Sequence, residues 1–98
     1  MTIVKKTNGT ELEIALEGWL DTMTAPELEA ELSSSMGAAE NLVLDFSRLE
    51  YISSAGLRVL LSAHKTMSAK GGMKVTNVNE IVQEVFEVTG FADILTIA

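Results

Sequence analysis

The sequence predicts a single small α/β domain over residues 1–98, with a mixed, mostly parallel β-sheet, an N-terminal β-hairpin and three to four α-helices. Three observations predict this fold class. The chain has 98 residues, 47% of them hydrophobic, which is enough for one domain with its own core. Strand-like and helix-like segments alternate, an order typical of parallel strands joined by right-handed crossovers. An Asn-Gly pair near the N-terminus indicates a tight turn between antiparallel strands.

The hairpin is the first predicted element. Asn8-Gly9 lies between two strand-like segments, and both residue types tolerate the positive φ that a type I′ turn needs. Apolar and Glu residues alternate from Glu11 to Glu17, so this strand has one apolar face and one charged face. We therefore expect the second strand to be covered on one side only. The hairpin should also leave an edge strand at which two copies could pair.

A helix and a central strand come next. Thr24 and Glu27 have the spacing of a capping box, and Pro26 suits a first helical turn. Gly37 is a candidate terminator of this helix. Leu42–Phe46 is an apolar run interrupted by one carboxylate, a pattern typical of a central strand covered on both faces.

The remaining elements continue the alternation. A second amphipathic helix is followed by a strand, a third helix and a last short strand. Their markers are the apolar face Leu57, Leu60, Leu61, His64 and Met67, the terminator Lys70-Gly71-Gly72, strand residues Met73 and Val75, the cap Asn79, the terminator Gly90, and the strand Ile94–Ile97.

The charge distribution excludes some classes of partner. Net charge is −7, and the segment from Glu11 to Glu50 holds ten acidic residues against one basic residue, Arg48. Phosphate affinity comes mostly from Lys and Arg, so we expect no nucleic-acid partner. The acidity serves either solubility or attraction to a basic protein surface. There is no Cys, no signal-peptide pattern and no apolar run near the roughly 18 residues of a membrane helix. We expect a cytoplasmic protein without membrane insertion.

Catalysis is not expected from these residue types. The single histidine, His64, falls on the apolar face of its helix, where a histidine more often packs than acts as a base or ligand. Asp21 and Asp45 could converge at one end of the sheet for acid–base chemistry, although a cap and a loop anchor are commoner roles. No Gly-rich nucleotide motif is present. We predict no enzyme activity, no cofactor and no metal.

The segment Tyr51–Arg58 (YISSAGLR) places two serines and a glycine where a helix begins. In one interpretation, Ser53 or Ser54 caps the helix and Gly56 lets it pack closely. In the other, one hydroxyl is modified, because the unpaired N–H groups and partial positive charge of a helix N-terminus accommodate a phosphate. A phosphoserine adds about −1.5 to −2 charges, which would repel a partner suited to a neutral hydroxyl. The two interpretations are compatible.

Four stretches together form a familiar pattern. They are Gly18-Trp19-Leu20-Asp21 with Thr24-Ala25, then Leu42–Ser47, then Tyr51–Leu57, and finally Val88–Ile97, in which a helix ends at Thr-Gly before a short strand. With these stretches the chain resembles the STAS-domain family almost end to end, and in particular the bacterial anti-anti-sigma factors, or anti-sigma factor antagonists. The third stretch together with the last is the more specific part of the resemblance.

The resemblance implies a binding switch. In that family the phosphorylated serine lies two residues before the signature glycine, so Gly56 marks Ser54 as the phosphoacceptor, with Ser53 as second choice. Many members carry Asp where this chain has Ser53. The unphosphorylated protein would bind an anti-sigma factor that is also a serine kinase, and thereby free a sigma factor. The kinase would phosphorylate Ser54 with its own ATP and Mg²⁺, the phosphoprotein would dissociate, and a metal-dependent serine phosphatase would reset it.

We expect the partner-binding surface at the sheet end where loops emerge from two neighbouring parallel strands, together with the exposed side of the second helix. Arg58, one helical turn past Ser54, contacts the partner or the phosphate, or is merely solvated. Trp19 is either an interface anchor or a packing residue. The residues predicted to bind the partner are Asp21, Thr22, Met23, Thr24, Ser53, Ala55, Gly56, Leu57 and Arg58.

Two other interpretations belong to different classes. Stand-alone STAS domains also resemble subunits of lipid-transport ABC systems, which pack on an ATPase without phosphorylation. Binding to an ATPase with Ser54 unmodified would identify that role. A scaffold domain of a stress-sensing assembly usually carries an additional sensory domain, for which 98 residues leave no room.

Overall fold

The computed structural model describes residues Met1–Ala98 and confirms the predicted α/β fold class. The elements are β1 Thr2–Asn8, β2 Glu11–Leu20, α1 Ala25–Ser35, β3 Asn41–Ile52, α2 Ser54–Ser68, β4 Gly72–Thr76, α3 Glu80–Thr89 and β5 Thr96–Ile97, with short 3-10 turns at Met36–Ala38 and Phe91–Asp93. The five strands lie side by side in chain order. β1 and β2 are antiparallel, and the other neighbouring strands are parallel.

The sheet is covered on one face only. Ile14 of β2 lies beside Leu44 of β3, which lies beside Val75 of β4, and all three are fully buried. The intervening Ala15 and Asp45 are only half-buried. Right-handed crossovers between strands in chain order put every helix on the same face. The expectation that β3 is covered on both faces was therefore wrong, and we call the uncovered side the open face.

β3 is far longer than the predicted Leu42–Phe46 run. Its register with β2 shifts twice, between Ala15 and Glu17 and again between Gly18 and Trp19. At each shift the pairing skips one residue of β3, as in a β-bulge. The strand continues beyond the predicted end at Phe46 and reaches Ile52. The bulges interrupt the alternation of buried and exposed side chains between Phe46 and Ile52.

Asp45 anchors a loop and does not join Asp21. The Asn77 side chain and the Ser47 backbone N–H each donate to Asp45 Oδ1 at 2.9 Å. These two hydrogen bonds, the Asn77 bond first, hold the pKa of the Asp45 carboxyl below its ordinary value. Asp45 lies opposite Ala15 in mid-strand, whereas Asp21 follows the far end of β2. Strand register therefore excludes an acid–base pair of these two carboxylates.

The hairpin turn differs in type from the prediction. Asn8 pairs with Glu11, so the two loop residues are Gly9 and Thr10. Gly9 has φ 63°, and Asn77 is the only non-glycine residue with positive φ. Positive φ at the first loop position alone is the pattern of a type II′ turn, so the type I′ expectation was wrong.

The helix ends follow the prediction in part. The Asn79 side chain accepts a hydrogen bond from the backbone N–H of α3 three residues on, at 2.8 Å, and Gly90 ends α3 with φ 83°. Gly37, by contrast, lies inside the Met36–Ala38 turn without positive φ and does not terminate α1 as predicted. Lys70 Nζ stabilises the segment after α1 by donating to three of its backbone carbonyls at 2.8 to 3.0 Å.

The start of α2 packs directly on the ends of β2 and β3. Gly56 is buried, and a Cβ added to it would lie 2.7 Å from Leu20 Cγ and 2.8 Å from Ile52 Cγ1. Both neighbouring side chains are buried in the core, so neither has room to move away. Only glycine allows this close approach.

We predict that Gly56→Ala lowers the free energy of unfolding. Overpacking costs about 1 to 3 kcal/mol, which exceeds the roughly 1 kcal/mol that Ala gains over Gly in a helix. Gly37→Ala is the matched control, because its Cβ would meet nothing within 4 Å and its φ is not positive. Urea unfolding monitored by circular dichroism measures both. Equal stability of the two variants would contradict the packing account.

Candidate functional site

Two segments meet at the end of the sheet where β2 and β3 finish. Leu20 and Ile52 are register partners in parallel strands, so the residues that follow them emerge side by side. The backbone N–H of Ser53 donates to the carbonyl oxygen of Leu20 at 2.9 Å, which ties the two exits together. This juxtaposition is the one that the parallel order of the strands predicted.

The loop between β2 and α1 is held by its own side chains. Asp21 Oδ1 accepts from the backbone N–H groups of Met23 and Thr24 at 2.9 and 3.1 Å. Thr24 Oγ1 accepts from the N–H of Asp21 at 2.9 Å and donates to the carbonyl of Trp19 at 2.7 Å. The predicted capping box with Glu27 was wrong, because Thr24 uses its hydroxyl inside the loop and not on the N–H groups of α1.

The start of α2 places the two serines differently. Ser53 is the N-cap residue, with extended φ −102° and ψ 177°, yet its side chain makes no capping hydrogen bond. Its Oγ is buried and has no hydrogen-bond partner. Ser54 is the first helical residue and is exposed, and no acidic residue lies in the first turn of α2. The first N–H groups of a helix lack intrahelical partners, so the Ser54 hydroxyl lies at an end of α2 suited to negative charge.

The predicted partner-binding residues fall into two groups. Met23 is the most exposed of the large apolar residues at 83%, and Thr22, Ser54 and Arg58 are exposed too. Asp21, Thr24, Ser53 and Ala55 are half-buried, whereas Gly56 and Leu57 are buried. The last two residues therefore position the surface and do not form it. A shallow groove between α1 and α2 links the two segments and is lined by Thr22, Ala25, Pro26, Glu29, Ala55, Arg58 and Val59.

The sequence missed one feature of this region. Trp19 and Tyr51 are register partners whose ring centroids lie 5.3 Å apart, and both side chains are exposed. The predicted central strand ends at Phe46, so the sequence pattern leaves Tyr51 outside any strand and gives Trp19 no aromatic partner. The available signal was that both residues are aromatic and that each directly precedes a buried apolar residue, Leu20 or Ile52. The two bulges in β3 hid the register that pairs them.

Other groups form no competing site. His64 is half-buried, and its Nδ1 is buried without a hydrogen-bond partner. No cluster of three or more His, Asp or Glu side chains is placed to hold a metal ion. No helix has the length and apolarity needed to cross a membrane.

Comparison with known proteins identifies the family. The family model described as the STAS domain matches residues 2–98. The chain belongs to the STAS domain family. BtrV of Bordetella bronchiseptica, provisionally named an anti-sigma factor antagonist, is 42% identical over 85 residues, covering 85% of this chain and 73% of BtrV.

Solved structures give the same fold for this STAS domain. An anti-sigma factor antagonist from Mycobacterium paratuberculosis is similar with a TM-score of 0.89 and 22% identity, covering 98% of this chain and 83% of that one. The anti-sigma factor antagonist SpoIIAA in its unphosphorylated form has a TM-score of 0.84 at 22% identity, covering 99% and 88%. SpoIIAA in its phosphorylated form has a TM-score of 0.76, covering 99% and 91%.

We predict that Ser53→Ala leaves the free energy of unfolding unchanged or raises it. A buried hydroxyl without a partner is unfavourable, so its removal carries no capping loss. Asn79→Ala is the comparison at another N-cap. It loses the bond to α3 and the bond that its side-chain amide donates to the Leu49 carbonyl, so it should cost about 1 kcal/mol or more. Chemical denaturation compares the two variants. A loss for Ser53→Ala as large as that for Asn79→Ala would indicate that the Ser53 hydroxyl caps α2 in solution.

Proposed function

We propose that this protein is an anti-sigma factor antagonist, a protein-binding switch controlled by phosphorylation of Ser54. The observation that carries the proposal is the exposed Ser54 hydroxyl on the first residue of α2, beside the exposed Met23 loop. The relatives named as anti-sigma factor antagonists support the class of function. The domain over residues 1–98 acts as a substrate and a docking surface, and not as an enzyme.

The proposed cycle begins with the unphosphorylated protein in the cytoplasm. It binds an anti-sigma factor serine kinase, which then releases its sigma factor. The kinase transfers the γ-phosphoryl group of ATP to Ser54 Oγ: a new O–P bond forms, the bond from the γ-phosphorus to ADP breaks, and the hydroxyl proton passes to a base of the kinase. A serine phosphatase later directs water onto the phosphorus: the bond from phosphorus to Ser54 Oγ breaks, inorganic phosphate leaves, and Oγ takes a proton to restore the hydroxyl.

The location of Ser54 separates the fold from the switch. Its side chain is exposed, so added phosphate displaces no core residue. The helix N-terminus favours the added charge of about −1.5 to −2. A partner surface built against a neutral hydroxyl would meet that same charge as repulsion and as a desolvation cost. The expected result is loss of binding without loss of the fold.

Exposure favours Ser54 over Ser53 as the acceptor. A kinase must bring the hydroxyl within reach of the γ-phosphate, and the Ser54 side chain is open to solvent. Ser53 Oγ is buried, so its modification would require α2 to move away from the strand ends. Neither the site geometry nor the relatives favour the lipid-transport interpretation over this one.

We predict that Ser54→Ala binds the partner kinase constitutively and that Ser54→Asp binds weakly, with both variants folded. Each variant is immobilised, ATP-binding proteins are recovered from extracts of the native organism, and the affinity of the purified kinase is measured by calorimetry. Ser34→Asp, an exposed site in the last turn of α1 near the Gly9 turn, is the charge-matched control and should bind like the wild type. The proposal fails if Ser54→Asp and Ser34→Asp bind equally well.

Arg58 is predicted to contact the partner. It is exposed one helical turn beyond Ser54 and lines the groove between α1 and α2. Arg58→Glu should therefore weaken kinase binding by about tenfold or more, because reversing an interface charge both removes an attraction and adds a repulsion. Lys74→Glu, exposed on β4 and away from the ends of β2 and β3, makes the same charge change as a control. Unchanged affinity of Arg58→Glu would remove Arg58 from the surface.

A further inference from the structure

An exposed aromatic pair lies at the same end of the sheet as Ser54, but on the opposite face. Trp19 is 55% exposed and Tyr51 is 38% exposed, and their rings contact each other with an interplanar angle of 47°. The next residues along the two strands, Leu20 and Ile52, are buried against the helices. Because successive strand residues point to opposite faces, the pair lies on the open face at the end of the sheet.

Packing in the hydrophobic core does not explain why two aromatic residues lie here. The aromatic rings pack on each other across two strands, and neither residue belongs to the hydrophobic core or packs against it. Both residues leave apolar surface in water. The other large exposed apolar side chains, Val4, Ile81, Val88 and Ile94, are spread over different elements, which is ordinary for a protein surface. A contiguous pair of exposed aromatic side chains is not ordinary in this way.

The pair is continuous with the Ser54 surface. Trp19 is linked to the Met23 loop, because its carbonyl accepts from Thr24 Oγ1 at 2.7 Å. Tyr51 lies three residues before Ser54 and next to the last residue of β3. A partner that covers Ser54 and Met23 and extends across the end of the sheet would therefore contact the aromatic rings on the open face.

Charge around the pair limits the chemistry of the partner. Glu50 precedes Tyr51 and is exposed, and Glu17 is exposed two residues before Trp19. Arg48 forms an exposed ion pair with Glu17 at 3.2 Å. Arg48 is therefore paired with Glu17 and does not neutralise the charge of Glu50. A complementary surface would offer an apolar pocket flanked by Lys or Arg.

We infer that Trp19 and Tyr51 are the apolar anchor by which the anti-sigma factor kinase grips the domain while it phosphorylates Ser54. The inference rests on the proposed function and adds a second contact area to it, on the open face and away from the reacting hydroxyl. Aromatic side chains carry a large share of binding energy at protein interfaces, often from a few central residues. The anchor would hold the kinase on the domain, and Ser54 would report the phosphorylation state.

The test uses the kinase that immobilised Ser54→Ala recovers from the native organism, purified as the probe. Trp19→Ala, Tyr51→Ala and the double variant are compared with Val4→Ala, an exposed apolar residue of β1 on the same face but away from the strand ends. Thermal unfolding first checks that each variant is folded. We expect each aromatic variant to lose about tenfold or more in affinity. The fold-loss of affinity in the double variant should be smaller than the product of the two single fold-losses, because the rings contact each other.

Phosphorylation kinetics supply a readout that damage to the fold would not imitate. Each aromatic variant should raise the KM of the kinase for the domain while kcat stays near the wild-type value, since the anchor binds and does not react. Val4→Ala should change neither quantity.

Three results would overturn the inference. If the kinase binds Trp19→Ala and Tyr51→Ala as tightly as Val4→Ala, the anchor is wrong and the proposed function stands. If the wild type is a dimer in sedimentation that Trp19→Ala converts to a monomer, the pair belongs to self-association. If Ser54→Ala retains no ATP-binding protein at all, the proposed function fails and the inference falls with it.

Discussion

The close contact between the start of α2 and the ends of β2 and β3 is the constraint on which the site depends. Gly56 has no side chain, so the helix lies directly on Leu20 and Ile52, where a Cβ would approach within 2.8 Å of each. The Ser53 N–H completes the contact by donating to the Leu20 carbonyl. Because the helix is fixed to the strand ends, its first residue, Ser54, has a defined position beside the Met23 loop. A hydroxyl on a mobile segment would lack that position.

The same arrangement divides the sheet end into a buried part and an exposed part. Leu20, Ile52, Gly56 and Leu57 lie in the core, and the residues next to them in sequence lie on the surface. A charge added to Ser54 therefore changes what a partner meets without removing a core contact. One-sided covering of the sheet extends this surface, since the open face brings the Trp19–Tyr51 pair to the same end. The proposed docking region thus extends over both faces of the sheet at the ends of β2 and β3.

Much of this was predictable from local patterns. Alternating Glu residues predicted a half-covered β2, and the Asn79 cap and Gly90 end of α3 were correct. The assignment of Ser54 as the phosphoacceptor stays a prediction. What failed depended on tertiary competition. The Thr24–Glu27 spacing suits a capping box, but nearby loop groups bind the Thr24 hydroxyl instead. The bulges in β3 depend on the register with β2, so neither the length of β3 nor the Trp19–Tyr51 pair could be read from β3 alone.

The most direct measurement is mass spectrometry of the intact protein and its fragments, isolated from native cells during growth and under stress. The account predicts one phosphoryl group, located on Ser54, with an occupancy that differs between the two conditions. An unmodified mass in every condition would contradict the switch and turn attention to a co-purifying ATPase. Phosphate on Ser53 alone would contradict the assignment that rests on its buried hydroxyl.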